Sequence, residues 1–182
     1  MIIGLTGLHG VGKSFLAEIM SNKLKWRLVN KRNILASMYQ KANPVDELTW
    51  EEWYRKLYGK IGAFNVMSLI LSKLSEKESE GKMPIVLDSV HNTDEWRAIK
   101  YAYPESILVG VFSPKRVRFS RNDQGDEELD TKRIIYWHEN VLGEFSCLLS
   151  EIEWAFSGCN SPGLQLRECH ILKDYLEKRK RI

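Results

Sequence analysis

This chain is short of the features that mark secreted, membrane or nucleic-acid-binding proteins. Its three cysteines, Cys147, Cys159 and Cys169, are an odd number at scattered spacings. They make a poor disulfide framework and a poor zinc site, and they suit a reducing compartment. No run approaches the about 18 apolar residues that a membrane span needs. The opening Met1-Ile2-Ile3-Gly4-Leu5 has no basic leader and runs straight into a motif, so a signal peptide is not expected and a cytoplasmic protein is. Charge of one sign is also scarce. The 27 Lys and Arg against 24 Asp and Glu leave a net charge of +3, which gives no whole-chain case for nucleic-acid binding. An Asn-Lys-x-Asp guanine motif is missing, which argues against a GTPase. There is no internal repeat and no low-complexity stretch. The length of 182 residues, 43% of them hydrophobic, fits a single domain with a sizeable core.

What is present alternates between two periodicities. Residues 1–6 form a short apolar run ending near glycine, the signature of a buried parallel strand. Residues 14–24 place Phe15, Leu16, Ile19, Met20 and Leu24 at helical spacing. A short strand is expected at 26–29 and a helix at 34–40, before Asn43-Pro44 breaks the chain. Two further helices are expected at 47–58 and 61–79, ended by Gly81 and Pro84. Pro84-Ile85-Val86-Leu87-Asp88 reads as a strand that stops at an acid. Thr93 is the expected cap of a helix over 94–103. Residues 106–112 are the most β-like run, and 114–120 read as a basic helical turn. A polar loop is expected at 121–130, a helix from 131 to about 156, a loop at 157–163, a strand near 164–169 and then a basic tail. Strands alternating with helices predict an α/β fold with a mostly parallel sheet.

The strongest single motif is Gly7-Leu8-His9-Gly10-Val11-Gly12-Lys13-Ser14, which satisfies G-x-x-x-x-G-K-[ST] in full. Glycines allow a tight turn with backbone N–H groups aimed inward at an anion. The following helix adds its N-terminal partial charge. In this pattern Lys13 reaches the β- and γ-phosphates of ATP, and the Ser14 hydroxyl holds Mg2+. Gly7, His9, Gly10, Val11, Gly12, Lys13, Ser14 and Phe15 are the candidate nucleotide-binding residues. No catalytic role is assigned to His9.

Phosphoryl transfer also needs a carboxylate for the metal shell or for the nucleophile. Asp88 stands at the C-terminal end of a strand, the edge at which open α/β sheets bind ligands. It is the candidate second metal-side group beside Ser14, and with Lys13 a candidate catalytic residue.

With these elements placed, the chain resembles the small P-loop kinases. Ile3-Gly4-Leu5-Thr6-Gly7 followed by Gly12-Lys13-Ser14 resembles the opening of dephospho-CoA kinases. The whole chain looks closer to dephospho-CoA kinase-like and adenylate-kinase-related proteins. Val86-Leu87-Asp88-Ser89-Val90-His91-Asn92 resembles a strand of that family ending in Asp-Gly-x-Arg-Ser. Tyr58-Gly59, residues 94–101, residues 107–114 and residues 139–143 follow the family in order and spacing. The resemblance implies a three-layer P-loop NTPase fold of the nucleoside monophosphate kinase kind, with acceptor-binding helices at about 31–80 and a lid at about 114–131. It also implies ATP and Mg2+, and a nucleoside monophosphate or dephospho-CoA-like acceptor. Arg116, Arg118 and Arg121 fall in or near that lid; Arg118 and Arg121 share a helix face and are candidates for neutralising the transferring phosphoryl. The chain departs from the family in four places. Residues 29–32 carry no acid, His91 replaces an arginine, residues 122–130 hold no arginine, and Trp137-His138 stand where Arg-Asp is common. A regulatory NTPase, or an ATP-binding protein without kinase activity, therefore stays open beside the kinase reading.

Lys31 and Arg32 are candidates for an acceptor phosphate, with an exposed basic turn as the plainer reading. Trp50, Trp53 and Tyr54 have spacing that favours core packing over stacking on an acceptor base. The closing Lys178-Arg179-Lys180-Arg181 reads as a solvated terminus.

Overall fold

The computed structural model describes residues 1–42, 48–75, 83–121, 131–132, 135 and 148–179. Among the described residues, five strands, β1 (Ile2–Thr6), β2 (Arg27–Val29), β3 (Ile85–Leu87), β4 (Ile107–Phe112) and β5 (Ile152–Ser157), form one sheet in the order β2-β3-β1-β4-β5. All four pairings are parallel. The connecting helices are α1 (Lys13–Leu24), α2 (Lys31–Ala42), α3 (Trp50–Ser75), α4 (Thr93–Ala102) and α5 (Lys115–Arg121), and α6 (Pro162–Arg179) follows the last strand.

The central strands bury both faces, which is why they read as unbroken apolar runs. On one face Ile2, Ile85, Leu87 and Leu108 pack with Leu35 of α2, Met67 and Ile70 of α3, and Trp96 and Ile99 of α4. On the other, Ile3, Val86, Ile107 and Val109 pack with Leu16 and Met20 of α1 and with Cys169 and Leu172 of α6. Adjacent residues along a strand thus feed opposite cores, and the result is three layers. The order also contains a reversal. The chain leaves β1 toward β2 on one side, then crosses from β3 to β4 on the other. The crevice at the carboxyl ends of β1 and β3 is the switch point at which such sheets hold ligands.

Several expectations need correction. The helix expected from 131 to about 156 gives way to β5, though residues 148–150 are helical as expected. Ile-Glu-Trp-Ala-Phe-Ser pairs with β4 from Ile152 to Ser157, with one irregularity at Glu153, and the hydrogen bonds of a distant strand outweigh a local helical spacing. The strand expected near 164–169 lies inside α6. Ser161-Pro162 is the start signal: the Ser161 hydroxyl accepts from Leu164 N–H at 3.3 Å, and proline occupies the first helical position. Asn92, and not Thr93, caps α4, its Oδ1 accepting from Glu95 N–H at 2.9 Å. The two helices expected at 47–58 and 61–79 form one element, broken at Gly62, whose φ of 77° interrupts the helix. The expected features at 43–44, 122–130 and 136–147 lie outside the described residues, as do Gly81 and the last three positions of the tail.

Candidate functional site: a phosphate loop facing a buried charge cluster

The loop between β1 and α1 turns on three left-handed glycines, Gly7 (φ 139°), Gly10 (φ 77°) and Gly12 (φ 102°). A side chain at Gly7 would be doubly excluded, because its Cβ would come 2.3 Å from the Val111 carbonyl oxygen. Gly12 stands at the N-cap of α1 without a side-chain cap, and the first turn carries no acid. The leading N–H groups of α1 are therefore not answered by a side chain. Lys13 curls back over the loop, its Nζ donating to the carbonyls of Gly7 at 2.8 Å and Leu8 at 2.9 Å. Ser14 and Phe15 are exposed at the mouth, as is His9. Val11 is buried, and its carbonyl oxygen takes part in holding the loop.

The back of the loop is pinned by the β4 and β5 ends. The Val11 carbonyl accepts from Ser113 Oγ at 3.0 Å and from Arg121 Nη1 at 3.3 Å. The other Arg121 nitrogen donates to the Gly158 carbonyl just after β5. Gly158 approaches so closely that a Cβ there would overlap the Val11 oxygen, at 1.8 Å. Arg118 is buried, and its backbone lies against Gly10. The two candidate arginines thus stand behind the loop, with Arg121 bonded to protein carbonyls, while Arg116 is exposed. A cavity of about 600 Å³ adjoins this side, lined by Gly7, Leu8, Val11, Phe112, Ala155 and Phe156 among others.

Across the crevice, Asp88 follows β3 and is half-buried. Its Oδ1 accepts from the backbone N–H of Lys31 at 3.1 Å and sits 3.4 Å from Ser89 Oγ. Lys31 opens α2, so the carboxylate rests on that helix's N-terminus. The Lys31 side chain does not face an acceptor. It is buried, and its Nζ bonds both oxygens of Glu95, at 2.8 and 2.9 Å. Glu95 is fully buried and also accepts from Tyr58 Oη at 2.9 Å and from His91 N–H at 2.8 Å. Helices α2, α3 and α4 therefore meet on one carboxylate.

Charge in this cluster shapes the titrations. Burial pulls the Lys13 ammonium down to about 8, with Asp88 opposing the shift and Lys31 adding to it. Burial, and then Lys31, hold His91 down to about 3, so its imidazole is neutral at ordinary pH. Burial, the largest single influence, would raise Glu95, but the Lys31 ammonium together with His91 and the hydrogen bonds from both residues outweighs it, and the carboxyl is lowered. Tyr58 is pushed up by burial and by the adjacent Glu95 charge.

The geometry brings the loop residues and Asp88 to one crevice and sets Arg118 and Arg121 behind it. Trp50, Trp53, Tyr54 and Tyr39 pack on one another with ring centroids 5.6–6.1 Å apart, as core packing requires. Glu95 and the buried role of Lys31 escape sequence reading. The partners are 64 residues apart, and no spacing links them. The donor set suits a divalent cation with a polyphosphate. One exposed hydroxyl (Ser14) and one half-buried carboxylate (Asp88) are hard oxygen ligands, and they flank an uncapped helix start and a lysine.

No protein-family model matches the chain. It is similar to a UPF0200 protein of Sulfurisphaera tokodaii, 27% identical over 149 residues that cover 78% of each chain. It is also similar to a UPF0200 protein of Methanothermobacter thermautotrophicus, 23% identical over 133 residues; these span 73% of this chain and 66% of that protein, just under two thirds. Among solved structures, shikimate kinase from Acinetobacter baumannii in complex with shikimate superposes with a TM-score of 0.61 at 13% identity, covering 98% of this chain and 94% of that one. A gluconokinase from Sinorhizobium meliloti 1021 gives 0.58 at 14% identity, with the same coverage. None of the described helices is long and apolar enough to cross a membrane.

Proposed function

We propose that this chain, which has the fold of the small P-loop kinases, is an ATP-dependent phosphotransferase acting on a small molecule. One observation carries the reading. A glycine-turned loop curls around the Lys13 ammonium at the open start of α1, and Asp88 faces it from the neighbouring strand end.

The chain's own groups divide the work. Loop amides and Lys13 bind and orient the ATP phosphates. Ser14 and the Asp88 carboxylate would hold Mg2+, which when bound neutralises phosphate charge. Asp88 is also the group placed to orient, or take a proton from, an acceptor hydroxyl. Arg121 ties the loop to the segment after β5 and keeps its backbone concave.

The acceptor enters on the side of α2 to α4. The finer candidates are nucleoside monophosphates and dephospho-CoA. With Lys31 committed to Glu95, a phosphorylated acceptor would have Arg32 of that expected pair. Unphosphorylated hydroxyl acceptors such as shikimate therefore belong in the same panel. The test is an ATP-coupled screen of nucleoside monophosphates, nucleosides, dephospho-CoA and shikimate, with Lys13→Ala as control. Transfer to one acceptor, lost in Lys13→Ala, is expected. ATP binding with hydrolysis that no acceptor stimulates would move the chain to the regulatory NTPases. Undiminished ATP affinity in Lys13→Ala would end the reading.

A further inference from the structure

The geometry points to Glu95 as a positioning residue for the Mg2+-side carboxylate: by holding the Lys31 ammonium it seats the start of α2, whose first N–H fixes one oxygen of Asp88 and leaves the other for the ion. The inference rests on the phosphotransferase reading of the site.

Three observations converge on it. First, α2 is tied at its opening residue twice, by the Lys31 backbone N–H on Asp88 Oδ1 and by the Lys31 side chain on Glu95. The two bonds leave one residue in different directions, so together they set both the place and the orientation of that helix start. Second, Glu95 carries more than an ion pair. Tyr58 Oη from α3 and the His91 N–H, three residues after Asp88, fill its remaining acceptor positions. His91 and Asp88 belong to the same short segment between β3 and α4, so Glu95 fixes that segment from both sides. Third, the pair is expensive to bury. Lys31 and Glu95 keep 4% and 1% of their side-chain surface. Packed apolar side chains would serve simple stability as well or better. A buried pair beside a functional carboxylate instead supplies orientation, as outer partners do around metal ligands.

Asp88 Oδ1 is thus spent on Lys31 N–H and faces Ser89 Oγ, whereas Oδ2 has no hydrogen-bond partner among the described residues. An ion ligand with one oxygen anchored keeps a single rotamer and presents the other oxygen in one direction.

The experiment measures ATP affinity by calorimetry with and without Mg2+, on the full chain. The quantity read is the ratio of the two affinities. Loss of an outer partner typically costs about 10–100-fold in metal affinity. Glu95→Gln should therefore shrink the Mg2+-dependent gain about tenfold or more, approaching Asp88→Asn, with the Mg2+-free affinity close to that of the parent. Tyr58→Phe, which removes one bond and no charge, should shrink the same ratio by a smaller factor. It decides the matter if Glu95→Gln does not fold, as judged by thermal melting. An unchanged ratio in folded Glu95→Gln, or an equal loss with and without Mg2+, overturns the positioning role; an unchanged ratio in Tyr58→Phe does so if Glu95→Gln is unfolded. If the parent protein binds no ATP, the phosphotransferase reading itself fails, which is a separate result.

Discussion

The two sides of the crevice are built from different materials. On the side proposed for the nucleotide, backbone groups surround two side chains, Lys13 and Ser14: amides at the start of α1, carbonyls of Gly7, Leu8 and Val11, and the close approach of Gly158. On the side proposed for the acceptor the groups are buried side chains, Lys31 and Tyr58 closing around the Glu95 carboxylate. A backbone cradle suits any polyphosphate, because every nucleotide offers the same oxygens. A side-chain cluster of this kind depends on particular residues meeting from three helices, and a single substitution can unbalance it. The difference predicts that lesions on the acceptor side act on stability and on the Mg2+-dependent part of binding, and lesions on the nucleotide side on ATP binding itself.

The largest effect expected is on Lys31. Lys31→Met leaves Glu95 charged, buried and without its cation, which costs about 3–5 kcal/mol. At about 2–4 °C per kcal/mol for a chain of this size, the melting temperature should fall by about 10 °C. Adding Glu95→Leu should recover part of that loss, since it removes the uncompensated charge but leaves Tyr58 Oη and the His91 N–H without their acceptor. Calorimetric melting of the single and double variants checks this. If the single variant melts with the parent, the acceptor side is not held by this pair and the contrast fails.

A smaller effect separates the sides by pH. Lys13 loses its proton near 8 in the free protein, and a bound polyphosphate favours the charged form. ATP binding should therefore take up protons around pH 8, and affinity should weaken above it, by at most about tenfold per pH unit. His91 and Glu95 are pushed down and Tyr58 up, so these three groups of the acceptor cluster stay out of that window. Titrations from pH 7 to 9.5 in buffers of different ionisation enthalpy read both quantities. A flat affinity across that range would show that Lys13 is not the responding group.

The mildest test concerns the first turn of α4, which carries Glu95. Asn92→Ala removes the bond to Glu95 N–H and should cost about 1 kcal/mol. Chemical denaturation should detect it, while Mg2+-free ATP affinity stays within about twofold. A larger loss of affinity than of stability would mean that the two sides are more tightly coupled than their construction implies.

Legibility follows the same divide. The loop could be read because glycine spacing, lysine and serine are local, and the strand before it and the helix after it have clear periods. Asp88 was legible as an acid closing an apolar strand. Strand β5 was not, since its pairing with β4 is a long-range choice and its own six residues suit either structure. Helix α6 was misread although Ser161-Pro162 announced its start. Arg121 was legible as a basic residue beside a helical turn, but not as its last residue, nor as the bond between Val11 and Gly158, which joins segments more than thirty residues apart.

By itself the sequence determined an α/β alternation and a loop able to wrap an anion, because backbone preference and period act over a few residues. Only the tertiary structure decided which charges share a cavity. Burial makes the meeting of Lys31, Glu95 and Tyr58 matter, since charges that water would screen on a surface must find one another once water is excluded.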